Sequence, residues 1–213
     1  MKKNFGRFES IFDIFYLGIA IIVGLVLLSR SDVSAVSLLA GIMALTLGFG
    51  DAFHLVPRVL SGFMEKDFHV SLGFGKLVTS ITMTFFYVFL WVIGLLYYHA
   101  YHPVWTFLFI VLAIIRIVLC LLPQNEWLHA SPSVRMGIIR NIPFFLMGIM
   151  VLLLFWLNAV PGAPLEYMGV AVFLSFAFYA PVVCWAHRYP KIGMLMAPKT
   201  CMYLWILWMC LSL

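Results

Sequence analysis

Apolar and polar positions divide the chain into long apolar runs joined by short connections that are polar, proline-containing or both. The runs cover residues 11–28, 36–60, 72–98, 104–122, 137–158, 165–187 and 192–213. Each is close to or above the roughly 20 residues that cross a ~30 Å hydrocarbon layer. Helices are predicted throughout, because backbone polar groups in lipid must pair within their own segment. The alternating ~10-residue strands of a membrane barrel are absent. The predicted fold class is all-α: a polytopic helical bundle of about seven transmembrane helices in a single membrane domain, residues 1–213. No internal repeat is visible.

Composition supports this reading and removes alternatives. The 213 residues are 65% hydrophobic and only 10% charged, and the mean hydropathy is +1.09. No polar stretch is long enough to bury a separate soluble core. The net charge of +5 does not point to nucleic acid, because the basic residues gather at span ends, where membrane orientation places them. Lys2, Lys3, Arg7, Arg58, Lys66, Lys76, Arg116, Arg135, Arg140, Arg188, Lys191 and Lys199 fall nearer one side, leaving Arg30 on the other. The expected topology is N-terminus cytoplasmic and C-terminus outside, in a bacterial cytoplasmic (inner) membrane. No small-residue cleavage site follows the first run, so it is expected to be retained.

Cys120, Cys184, Cys201 and Cys210 lie apart in apolar runs and read as core thiols. His99 and His102 have metal-ligand spacing but no third partner, so they read as interfacial polar groups beside Tyr97, Tyr98, Tyr101 and Trp105. No metal or cofactor is expected. The sequence carries no G-x-S-x-G elbow, zinc-protease pair or P-loop.

The chemistry concentrates in the second run, LTLGFGDAFHLVPRVL. At 3.6 residues per turn, Asp51, His54 and Arg58 share one helix face. A carboxylate inside an apolar span costs several kcal/mol unless it faces protein, water or a partner, so Asp51 anchors a candidate site. At 1.5 Å per residue the other deep polar positions lie on the same side: Asp51 ~14 Å from its span end, Lys199 ~10 Å, Arg116 ~9 Å, Lys76 and Arg140 ~5 Å. These predict one funnel open to the cytoplasm, which Glu126, in the loop after the fourth run, could enter. Pro143 and Pro198 are expected to free backbone carbonyls along it.

The segment GDAFHLVPR, with Gly50, Asp51, Ala52, Leu55, Pro57 and Arg58, resembles the G-D-A-x-x-L-x-P-R stretch of the YhhN family of lysoplasmalogenase-like membrane proteins. The following Leu72-Gly73 and the run Phe85, Phe86, Tyr87 resemble the next span of that family. A later family run, L-F-x-x-S-D, is matched by VFLSFAFYAP, which keeps Phe173, Leu174 and Ser175 and has no aspartate. The resemblance implies hydrolysis of a lysoplasmalogen vinyl ether. In that reading Asp51 is the general acid, His54 orients or deprotonates water, and Arg58, Arg116 and Lys199 hold phosphate. Lys76, Arg140 and Glu126 complete the candidate substrate-binding set. The alternative is a transporter or receptor that binds a lysophospholipid or anionic small molecule through the same basic funnel without reaction. The expected partners are a membrane lipid and a lysophospholipid or anionic small molecule, and neither reading specifies an oligomeric state.

Overall fold

The computed structural model describes residues 2–30, 34–64, 67–129 and 132–213, with the side chains of residues 2–9 and 62 outside that description. The expectations for Lys2, Lys3, Arg7 and Lys66 therefore fall outside the described residues. The regular elements among the described residues are all helical: α1 (Lys2–Ser29), α2 (Ala35–Phe63), α3 (His69–Tyr98), α4 (Pro103–Leu121), α5 (Val134–Leu157), α6 (Met168–Trp185) and α7 (Met196–Cys210). Short 3-10 turns at Pro123–Asn125 and Pro190–Leu195 follow α4 and precede α7. Among the described residues, seven helices are long and apolar enough to cross a membrane, and the chain is a multi-pass integral membrane protein.

Local chemistry sets the helix ends. Ser34 accepts the Val36 N–H and opens α2, Ser133 accepts the Met136 N–H and opens α5, and Pro103 starts α4, where a missing N–H costs nothing. Asp67 accepts both the backbone N–H and Nδ1 of His69 at the start of α3. The backbone hydrogen bond, then the ring, holds its carboxyl below the usual carboxylate range. His99, in the left-handed region at φ 51, closes α3.

Each helix packs on its neighbours in sequence, α7 closes the ring onto α1 and α2, and α3 also reaches α5. The core is aromatic as well as aliphatic. Tyr87, Phe144 and Phe176 pack edge-on or tilted, and Trp91 stacks on Phe109 with centroids 4.6 Å apart. Ile22, Phe107, Ile114 and Val118 are among many large apolar side chains left on the exterior, as a lipid-facing surface requires.

The approach of α3 to α2 depends on glycine. A β-carbon on Gly50 would overlap the Thr82 side chain, and one on Gly75 would overlap the Phe53 carbonyl. That carbonyl is the one Pro57, inside α2, leaves without its helical donor. Thr79 of α3 donates to the Gly50 carbonyl at 3.0 Å.

Several boundaries differ from the sequence expectation, three of them for visible local reasons. α1 begins nine residues before residue 11, because helix continues through the polar N-terminal segment. α6 starts at Met168, after turns in which Glu166 accepts the Gly162 N–H. The last span starts as a 3-10 turn, and Pro198 is the third residue of α7.

Candidate functional site

One end of the bundle holds the N-terminus and the α2–α3, α4–α5 and α6–α7 connections. A cavity of about 420 Å³ opens at this end, and its wall carries His54, Arg58, Lys76, Arg116, Arg140 and Lys199 together with Trp127, Asn141, Tyr179 and His187. Five of the residues expected to bind substrate therefore share one chamber. The sixth does not: Glu126 is exposed in the turn after α4, with φ 53, and is not on the wall. The same turn buries Asn125 instead.

Arg116 is 2% exposed, and the elements around it fix it in place. Its Nε donates to Thr84 Oγ1 at 3.0 Å, and its Nη1 to the Arg140 carbonyl at 2.9 Å and Asn141 Oδ1 at 3.2 Å. Its guanidinium lies 3.8 Å over the Phe144 ring. Asn141 Oδ1 also accepts the Tyr179 hydroxyl, while its Nδ2 donates to the Gly137 carbonyl. This network presents Arg116 from α4 by way of α3, α5 and α6.

Arg140 is held comparably. Its Nη1 donates to Asn125 Oδ1 at 2.8 Å, and its guanidinium lies 4.0 Å over the Trp127 ring. Asn125 in turn donates to the Leu119 and Leu122 carbonyls at the end of α4, and Trp127 donates to the Cys120 carbonyl. Lys199, 7% exposed, has its Nζ 4.6 Å and 4.7 Å from the Tyr179 and Tyr203 ring centres. Lys76 is exposed on α3 at the chamber wall. Among the described residues, no carboxylate forms an ion pair with Lys76, Arg116, Arg140 or Lys199.

Asp51 lies elsewhere. It lines a recess of about 60 Å³ beside the chamber, with Asp13, His54, Arg58, Lys199 and Tyr203. Asp51 Oδ2 accepts the hydroxyl of Tyr16 at 2.6 Å, and Asp13 lies 3.3 Å from Arg58 Nη2. His54, Arg58, Thr79, Met196 and Lys199 line both spaces, which therefore adjoin. The shared helix face of Asp51, His54 and Arg58 is present, but its two ends turn to α1.

Several of these contributors are absent from the sequence-based set: Asp13, Tyr16, Asn125, Trp127, Asn141 and Tyr179. Asp13 carried a signal, since it is an acid inside an apolar run and the argument that selects Asp51 selects it too. The others are neutral residues whose roles depend on packing. Among the described residues no group of three His, Cys, Asp or Glu side chains is placed to hold a metal. His99 closes α3, and His102 lines an apolar niche at the opposite end of the bundle with Trp91, Trp105 and Asn158.

The chamber can hold an anion through charged donors already fixed by protein contacts, with aromatic faces beside it. Compared with known proteins, the chain matches no family model, no curated protein and no solved structure.

Proposed function

We propose that the protein binds a phosphate-bearing single-chain lipid, with the headgroup in the basic chamber and the chain against the apolar bundle. In this reading the chamber opens to the bacterial cytoplasm, and the basic residues mark that side. The carrying observation is the convergence of Arg58, Lys76, Arg116, Arg140 and Lys199 on one cavity whose described wall includes no acid. Isolated cations at such depth are unfavourable, and a phosphate would compensate them. The resemblance of GDAFHLVPR to the lysoplasmalogenase-like family adds the lipid class. Titration of the purified protein with lysophospholipids in mild detergent tests the proposal. Saturable binding that weakens in Arg140→Gln is the expected result, and failure to bind any phosphate-bearing amphiphile would remove it.

One observation favours a reactive form. His54 lies on the wall of both spaces and follows Asp51 by three residues, about one helical turn. In vinyl ether hydrolysis an acid protonates the alkene carbon, water adds to the resulting oxocarbenium, and the hemiacetal splits into an aldehyde and the glycerol hydroxyl as the proton returns. Asp51→Asn should abolish aldehyde release from a lysoplasmalogen and leave lipid binding in place. Wild-type protein that binds lipid without releasing aldehyde would leave the binder alone.

A further inference from the structure

The charge balance around the chamber narrows the class of headgroup. We infer that the favoured ligand carries more than one negative charge at one end, as a phosphate monoester or a diphosphate does, and is not a zwitterionic phosphodiester. The inference rests on the phosphate-binding reading above and not on its hydrolytic form, whose lysoplasmalogen substrates commonly carry a zwitterionic phosphodiester head.

Two of the five cations have an acid at hand. Arg58 faces Asp13, and Lys199 shares the small recess with Asp51. The remaining three, Lys76, Arg116 and Arg140, line the chamber and have no carboxylate partner among the described residues. Three cations over-compensate a phosphodiester, which carries a single charge, whereas a monoester carries about 1.5 to 2 near neutral pH.

Donor geometry agrees. The protein contacts of Arg116 use Nε and Nη1, and the hydrogen bond of Arg140 uses Nη1. Arg116 Nη2, Arg140 Nε and Nη2, and the ammonium groups of Lys76 and Lys199 have no protein acceptor among the described residues. Such a spread of donors suits several terminal oxygens better than the two of a diester.

The wall also argues against the cationic half of a zwitterion. A choline or ethanolamine group is recognised by carboxylates or a free aromatic cage. The described carboxylates lie off the chamber: Asp13 and Asp51 in the recess, Glu126 and Asp67 exposed, and Glu166 in the connection at the opposite end. Rings that could serve as a cage already face protein cations, Trp127 facing Arg140, and Tyr179 and Tyr203 facing Lys199.

Calorimetric titration of the full chain in neutral detergent decides the matter, with dodecyl phosphate, dodecyl diphosphate, lysophosphatidylcholine and inorganic pyrophosphate as probes. The expected result is binding of the alkyl phosphates at least about tenfold tighter than lysophosphatidylcholine, a preference of the size charge complementarity supplies. Lys76→Gln, at an exposed position, should shrink that preference without loss of folded protein, and Arg140→Gln should shrink it further. Lysophosphatidylcholine binding as tightly as dodecyl phosphate overturns this inference and leaves the phosphate reading standing. Failure of all four probes overturns both. Pyrophosphate matching the alkyl diphosphate supports the polyanion inference, identifies a soluble anion as the source and removes the lipid chain from the proposed function.

Discussion

Arg116 and Lys76 line the same cavity and should behave oppositely when changed. Arg116→Ala removes the donor shared by Thr84, Asn141 and the Arg140 carbonyl and leaves a gap beneath Phe144. A loss of about 3 kcal/mol or more is expected, read as a lower melting temperature in detergent. Lys76→Gln, at the exposed rim, should stay within about 0.5 kcal/mol of the parent and show its effect only in anion affinity. At this scale the sequence discloses charged residues and conceals neutral ones. Arg116, Arg140 and Lys199 were legible because a charge in an apolar run demands a reason. Asn125 and Asn141, which hold Arg140 and Arg116, are neutral, cost less to bury than a charge and give a weaker signal. The exchange of Glu126 for Asn125 follows from a left-handed residue at Glu126, a feature that a Gln-Asn-Glu loop does not announce.

At the scale of helices, the seam between α2 and α3 is where sequence and structure meet most closely. Pro57 leaves the Phe53 carbonyl free, and Gly75 lets the α3 backbone close over it. Gly75→Ala should force the helices apart at a rigid backbone contact and cost about 2 to 3 kcal/mol, measured as thermal stability, and should widen the chamber mouth near His54. Hydrophobic runs made the helices legible because lipid imposes one secondary structure on any apolar segment of sufficient length. Their ends were less so. Pro198 shows why: a proline inside an apolar run reads as an interruption, yet the helical stretch runs on around it, and the 3-10 turn at Pro190–Leu195 changes to α-helix two residues before it.

Taken whole, the bundle is asymmetric along its axis. The described basic side chains crowd one end, and Arg30 at the other donates to the Leu211 carbonyl, linking the end of α1 to the end of α7. Anion affinity should therefore depend on ionic strength, falling about tenfold or more between 0.05 and 0.5 M salt as the chamber mouth is screened. A salt-independent affinity would mean that the chain, not the headgroup, dominates binding. Terminal reporter fusions test orientation: activity of an N-terminal phosphatase fusion outside the membrane would reverse the assignment. The number of spans was legible, but the order of helices around the ring was not, because apolar surfaces look alike to lipid and to one another. Gly50 and Asp51 are adjacent, and in any collection of tolerated variants both would stand out as a single invariant word. Their intolerance has separate causes. Gly50 is restricted by the Thr82 side chain against its backbone, so its substitutions should deplete the folded protein itself. Asp51, hydrogen-bonded to Tyr16 beside the chamber, should yield folded protein of altered behaviour, so a scan scored for abundance as well as activity would split the word in two.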